Sequence, residues 1–528
     1  MLCKVGGVNL PVAALHTPDD IYNAREHGLT GNGRTNDQAA LAALVAQLGA
    51  AYAKDRRPRV IYCPPGEYLI ADATTVWASG VSLKGAGAGA TRFVLANPGA
   101  RNAVVALARY NEQLDGAAAE RPLSDCMFAS FEVDGARVEL PKYDTHAKAL
   151  DLQYMVRPMF RELHIHDTAA TGLGCDHLQD GTIQGVIADR CGRLNSGREP
   201  GGAGIGIGVG GWGPIERLDI IDCIATGNAR HGIFVELQQG KNHRPRGIKI
   251  LGCHCVDNRY GISDWGAEGL LVASCILCEN HEIGFDVSAD SVAGVAGHGG
   301  TLSECLIDGN GRDGVTIGNT RGPYTVRANR ISYNGRHGYY QHNSKDDPTP
   351  AREIVIEAND IWKNGIDGVH LGAPTIDASI VHNRIRNNGR RVPGNVSRGG
   401  PGVSYTPNGL CDAEAHWPVD AHKGKTLLVA GMTAIVASNR EQELHLLPCR
   451  PGAPTAWERH PPSERTPYLL RDEASRVRAG IALAAPVSGA WIRGNRVWDN
   501  QERCTQTHTV WTAEGVRCEN CRIEDDGG

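Results

Sequence analysis

Asn329-Arg330-Ile331-Ser332-Tyr333-Asn334-Gly335-Arg336-His337-Gly338 contains the unit from which the rest of the chain can be read. Two asparagines stand five residues apart around a short β-prone run, and a glycine follows the second. The same pairing, with Cys in first place in the earlier copies, recurs at Cys223/Asn228, Cys253/Asn258, Cys275/Asn280, Cys305/Asn310, Asn359/Asn364, Asn383/Asn388 and Asn495/Asn500. From Cys223 to Asn383 the steps are 30, 22, 30, 24, 30 and 24 residues. A period in the twenties, lengthened in places by a loop, marks a solenoid whose repeats touch mainly their neighbours. Function in such a chain is spread along a wall.

Each repeat has the parts of one β-helix coil. Runs such as Leu218-Asp219-Ile220-Ile221, Ile248-Lys249-Ile250-Leu251 and Ile354-Val355-Ile356 precede the Cys or Asn and read as short strands. Gly232, Gly261, Gly284, Gly314, Gly338 and Gly368 follow the second Asn and lead into another apolar run, Ile233-Phe234-Val235 in the first case. Rungs about 4.8 Å apart place like residues over like. A buried corner Asn then bonds the Asn above and below and satisfies the turn's backbone groups. Cys is small and apolar enough to fill the other corner. Cys253-x-Cys255 and Cys275-x-x-Cys278 have metal-like spacing, but no His stands at finger spacing, and a packed ladder is the expected reading.

Composition agrees. Among 528 residues there are 66 Gly, and aromatics make up only 5%, which suits a turn-rich solenoid better than a layered core. The net charge of −5, without a long basic run, gives nucleic-acid binding no support. No apolar segment suits a membrane span, and Met1-Leu2-Cys3-Lys4-Val5 leads into no signal-peptide core. With 16 Cys, that predicts reduced thiols and synthesis in the cytoplasm, a pattern shared by proteins assembled into a virion such as a phage tail.

Four segments follow. Residues 1–20 read as an irregular arm, 21–393 as the solenoid with its N-terminal cap, 394–475 as an inserted loop/β module, and 476–528 as closing coils. In the cap, an Ala/Leu-rich helix presents Leu41, Leu44, Val45 and Leu48 on one face, with Asn36 or Asp37 at its N-cap. The insert is rich in Pro, Gly and Arg, with one β-like stretch from Lys425 to Leu447. The ending Asp525-Asp526-Gly527-Gly528 leaves the last edge poorly covered, which favours association.

The cap also carries a resemblance. Gly31-Asn32-Gly33-Arg34-Thr35-Asn36-Asp37, the helix, Val60-Ile61-Tyr62-Cys63-Pro64-Pro65-Gly66-Glu67-Tyr68-Leu69-Ile70 and Val81-Ser82-Leu83-Lys84-Gly85-Ala86-Gly87 come in the order found in the pectate-lyase-like superfamily. The chain resembles that superfamily over residues 21–100, and the repeats extend the likeness to about residue 400. The resemblance implies an all-β fold: a single-stranded right-handed parallel β-helix with an N-terminal capping helix and, here, an inserted β-rich module. Lyases, hydrolases, epimerases and non-catalytic tailspike-like proteins share that fold.

Candidate chemistry sits on the wall. Counting from the wall glycines puts Asp176, Glu236 and Trp265 in equivalent places. Between the coils of Asp176 and Glu236 lies the nearly bare stretch Gly202-Ala203-Gly204-Ile205-Gly206-Ile207-Gly208-Val209-Gly210-Gly211-Trp212. Two rungs, roughly 9–10 Å, would separate those carboxylates, near the upper end for inverting glycoside hydrolysis. Gly172 to His177 and Asn228-Ala229-Arg230-His231-Gly232 also resemble the two catalytic segments of bacterial mannuronan C5-epimerases. That resemblance implies Asp176, Arg230 and His231 as catalytic, with His177 one place off the family's histidine and Leu173 where the family has tyrosine. Arg-His-Gly recurs at Arg336-His337-Gly338, so the motif is also a corner habit of this repeat. Asp180, Asp264, Trp265, Asp286, Tyr340, His342 and His370 form the expected substrate-binding stripe.

Two readings stay open on sequence. One is an enzyme that cleaves or epimerises an acidic or surface polysaccharide; the other is a non-catalytic bacteriophage minor tail or tailspike protein recognising host glycan. The expected partners are a polysaccharide and, for the second reading, a homotrimer or virion tail proteins, with no nucleic acid and no membrane insertion. No metal ligands are expected and no cofactor is required, with Ca2+ left open.

Overall fold

The computed structural model describes residues 2–5, 8–11, 18–71, 76–96, 105–106, 122–141, 143–144, 147–193, 202–212, 215–238, 244–288, 299–318, 322–343, 349–390, 396–448, 453–471, 478–501 and 504–524. The expectation for residues 525–528 lies outside them. The chain divides into two compact units, Met1–Gly202 with Glu216–Cys223, and Ala203–Ile215 with Ile224–Gly528.

In the first unit the helix Gln38–Asp55 buries Leu41, Leu44, Val45 and Leu48. Asp37 occupies the N-cap, but its carboxylate accepts bonds from Thr30 and Gly31, and the Asn36 amide oxygen takes the Gln38 N–H instead. Parallel rungs follow in register: Glu132–Asp134 on His164–His166, and Leu150–Val156 on Leu173–Gln179. Phe128 and Phe160 stack inside at 5.3 Å. Where an irregular arm was expected, Leu2–Val5 pairs antiparallel with Val8–Pro11.

The second unit is built from the Cys/Asn repeat. Each corner Asn accepts from the backbone N–H and the side-chain amide of the residue one rung before. Asn310 Oδ1, for example, takes Asn280 N at 3.0 Å and Asn280 Nδ2 at 2.9 Å. One ladder runs through Asn228, Asn258, Asn280, Asn310, Asn334, Asn364 and Asn388. Its next place is filled by Gln506, not by Asn500, which bonds Asn387 instead. The other ladder passes from Cys305 through Asn329, Asn359 and Asn383 to Asn495, crossing the insertion without losing register.

Two backbone features shape these coils. The residue before each ladder position has a positive φ, and most are not glycine: Asp257 (61°), Glu279 (55°), Tyr333 (55°) and Lys363 (54°) among them. A left-handed non-glycine residue costs about 1–2 kcal/mol, which the buried bonds of the following Asn offset. The wall glycines form a column of their own. A Cβ on Gly232, Gly261, Gly284, Gly314, Gly338 or Gly368 would lie 2.4–2.8 Å from the carbonyl oxygen of the glycine one rung on. Only glycine permits that approach.

Within 394–475 the described residues form a seven-stranded antiparallel sheet. Its core holds Leu427, Val429, Val436, Leu444, Trp457, Tyr468 and Leu470. Among the described residues, no helix is long and apolar enough to cross a membrane.

Candidate functional site

The wall strands of the second unit put alternate side chains outside. Read rung by rung, one outward column is Gly206, Phe234, Ser263, Asp286, Thr316, Tyr340 and His370. Gly208, Glu236 and Trp265 begin a second column two residues further along the strands. At the corner preceding them, backbone bonds stack Arg230, Arg259, Glu282, Arg312 and Arg336 in successive rungs.

Between these columns lies a groove of about 420 Å³, lined by Arg230, Arg259, Arg312 and Arg336 on one side, with Trp265, Asp286, Tyr340 and His342 among its other residues. Glu282 ties two of the arginines, receiving Arg259 Nε at 2.7 Å and Arg312 Nη1 at 3.1 Å. Arg336 pairs with Asp313 at 3.1 Å and lies over the Tyr340 ring at 4.5 Å. Arg230 has no carboxylate partner among the described residues and lies 5.6 Å from the centre of the Trp265 ring. Its charge is the one left open to a ligand.

Asp286 is the carboxylate lining this groove. Trp265 Nε1 donates to its Oδ2 at 3.1 Å, and Ser288 Oγ to the same oxygen at 3.1 Å. Burial pushes its carboxyl up to about 6, against the lowering by those two donors. A carboxylate so placed exchanges a proton near neutral pH.

The expected residues divide between the two units. Arg230, Trp265, Asp286, Tyr340 and His342 are brought together along the groove. His231 is 1% exposed, its ring stacked on Phe234 at 4.2 Å and Tyr260 at 5.1 Å. Burial first, then Arg230 and Arg259, drives its imidazole well below the usual range, so it is neutral at pH 7. Glu236 stands between Gly208 and Trp265, beside the bare strand Ile205–Val209. His370 bonds Asp367 through Nδ1 at 2.7 Å.

Asp264 corrects the expected stripe. It stands in register with the buried Val235 and Val287, so it faces the interior, where Oδ1 accepts the Gly266 and Ala267 N–H groups. Neighbouring residues of a strand point to opposite faces, so Ser263 and Trp265 share the other face, where Ser263 is covered by its neighbours and Trp265 reaches the groove.

In the first unit Asp176 is buried near Gln153 Nε2 (3.5 Å) and Lys148 Nζ (3.6 Å). His177 sits in a left-handed kink (φ 56°) over Tyr154, another kinked residue (φ 49°), with ring centres 4.6 Å apart. Burial pushes His177 down to about 4. Asp180 is exposed and held by Arg217.

Sequence reading missed Arg259, Arg312, Glu282 and Tyr260. The signal was present: Arg follows the ladder Asn at one or two residues in Asn228-Ala229-Arg230, Asn258-Arg259, Asn310-Gly311-Arg312 and Asn334-Gly335-Arg336. Only stacking turns that habit into a cationic edge. The side chains of Cys253, Cys255, Cys275 and Cys278 are buried and take part in no disulfide among the described residues.

Stacked parallel coils and paired corner ladders define the class: this chain is a right-handed parallel β-helix protein, and the family models it matches are those of the pectate-lyase-like and β-helix kind. Residues 21–240 match the family described as rhamnogalacturonase A/epimerase, pectate lyase-like, and residues 243–353 match the right handed beta helix region. Among solved structures, the Agl-KA catalytic domain is similar at 11% identity and TM-score 0.52, covering 98% of this chain and 70% of that one. The A-module of the Azotobacter vinelandii mannuronan C-5 epimerase AlgE4 is 13% identical, with TM-score 0.47 and coverage of 96% and 100%. The Yersinia enterocolitica family 28 exopolygalacturonase is 10% identical, with TM-score 0.46 and coverage of 70% and 75%. At such identities the likeness is one of fold. No curated protein matches the sequence.

Proposed function

We propose that this protein is a carbohydrate-active β-helix protein that binds an acidic polysaccharide in the groove between Arg230 and His342 and acts on its uronate residues by proton transfer. The observation that carries this reading is the lining of the groove, one carboxyl, Asp286, among Arg230, Arg259, Arg312 and Arg336, with burial raising that carboxyl to about 6. Hydrolysis of glycosides by acid and base uses two carboxyl groups flanking the bond. Among the described residues lining the groove, Asp286 is the one carboxylate. Arginines beside a single base suit the other chemistry. Neutralising a uronate carboxylate acidifies the C5–H, and Asp286 takes that proton. Breaking the C4–O4 bond then gives an unsaturated product, the glycan leaving with O4 and taking a proton from solvent, while return of a proton to C5 on the opposite face gives the C5 epimer.

The matches to lyase-like and epimerase-bearing families support a sugar polymer as ligand. Trp265 and Tyr340 offer rings for pyranose faces. Those rings also favour a second reading, glycan recognition without turnover, as in a virion tail protein. Incubation with a panel of polyuronates and neutral bacterial glycans tests both. Unsaturated-uronate absorbance or a proton-NMR change at C5 is expected for the first. Saturable binding with neither signal would leave recognition alone, and no binding of any acidic glycan overturns both.

A further inference from the structure

Beyond the groove, His337, Asp367 and His370 gather from two successive rungs, their ligand atoms all within 4.8 Å of one another. Asp367 Oδ2 lies 2.7 Å from His370 Nδ1 and 3.3 Å from His337 Nδ1. His337 is fully buried and Asp367 almost so, while His370 keeps a side chain 13% exposed as a way in.

The bonding around His337 is what points to an ion. The Asp367 backbone N–H donates to His337 Nδ1 at 3.4 Å, so that nitrogen presents a lone pair. Asp367 Oδ2, 3.3 Å away, presents another. Two acceptors facing each other in a dry interior repel unless a cation lies between them. A proton on Nδ1 would relieve this only by taking the backbone N–H's acceptor away. His337 Nε2, also buried, finds no partner among the described residues. The contrast is the group Glu132, His164 and His166 in the first unit. There His166 places one ring nitrogen on Glu132 (3.1 Å) and the other on Asp167 (2.8 Å), and a protonated imidazole satisfies both.

We propose that His337 Nδ1, Asp367 Oδ2 and His370 Nδ1 bind a divalent transition metal of the zinc class. Two imidazoles and one carboxylate are a donor set for such ions and a poor one for Ca2+, which takes oxygen. With metal–ligand bonds of 2.0–2.1 Å, tetrahedral ligands stand about 3.3 Å apart, which is the His337–Asp367 separation, while the hydrogen-bonded His370–Asp367 pair, now 2.7 Å, has to widen as the ion displaces its proton. On binding, the ion displaces the proton from His370 Nδ1, and the ring coordinates with its proton at Nε2. The other oxygen of Asp367 accepts Ala479 N at 2.7 Å. The ion therefore ties the rungs of His337 and Asp367 to the first rung after the insertion, where the chain resumes its coil. This inference stands apart from the catalytic reading, because metal binding is read without any sugar substrate.

The test uses the full chain, stripped with chelator and titrated with Zn2+, Co2+ and Ca2+. One equivalent of Zn2+ is expected with a raised Tm, Co2+ should give the intense visible bands of a four-coordinate site, and Ca2+ should do neither. His370→Gln, at the exposed ligand, should weaken Zn2+ binding at least about tenfold and abolish the Co2+ bands while circular dichroism stays native. His416→Gln, on the surface of the insert, should change nothing. Zn2+ binding that is unaltered in His370→Gln, or Co2+ that keeps its pale aquo spectrum, overturns the proposal.

Discussion

Trp265 Nε1 donates to Asp286 Oδ2 at 3.1 Å across two adjacent rungs, so an aromatic ring and a titrating carboxyl share one hydrogen bond at the groove. The ring that would carry a sugar thus also orients the group that would take its proton.

Asp286→Asn should lower turnover of a responsive polyuronate by about a hundredfold or more while leaving its binding within a few-fold. In the native protein the rate should rise as pH passes about 6, because the base works deprotonated. That limb should vanish in the variant, and a pH–rate profile of both proteins checks it. Stability carries the opposite sign. A folded carboxyl raised above its unfolded value favours the fold below pH 4 and loses that contribution as pH climbs through 6. The Tm of Asp286→Asn should therefore gain on the native protein between pH 4 and 7.

Arg230→Ala should weaken binding of an acidic oligosaccharide about tenfold or more, the scale of one charge-assisted hydrogen bond. It should change stability by no more than about 0.5 kcal/mol, since no described carboxylate relies on it. Arg312→Ala should do more to Tm, because Glu282, buried between two arginines, loses one of them. Isothermal titration at two salt concentrations, with melts alongside, separates the two cases; the binding difference should shrink at high salt.

Asn310→Ala breaks the ladder at its middle. Asn280 N loses its acceptor and Leu277 O a donor, while Asn280 Nδ2 keeps only Cys255 O and Asn334 Oδ1 only Asn310 N. Buried groups left unpaired cost about 1–3 kcal/mol each, so the melt should show a drop of several degrees or partial unfolding. An unchanged Tm would mean the ladder is not what holds the coils.

Thiol labelling should be two-phased. Ten of the fourteen cysteines whose burial is described are buried, and burial pushes the thiols of Cys126 and Cys191 up to about 12. Cys504 and Cys518 are exposed and should react at once with an aromatic disulfide reagent. The buried ten should react only on adding denaturant.

The sequence alone determined the solenoid. A corner Asn that must bond its counterparts above and below can only recur at the length of one coil, so the spacing 30, 22, 30, 24 is itself the fold. It also determined that Cys could replace Asn in a dry corner, and that the helix over Leu41 to Leu48 would close one end. Tertiary structure decided which side chains share a surface. Asp264 went inside because its rung keeps Ser263 and Trp265 outward, an alternation whose phase is set by left-handed kinks at residues such as Asp257 and Glu279 that no glycine announces. The arginine edge, and the meeting of His337 with Asp367 and His370, arise between rungs separated by loops of unequal length. Stacking sets those neighbours through hydrogen bonds between strands, which linear spacing does not encode.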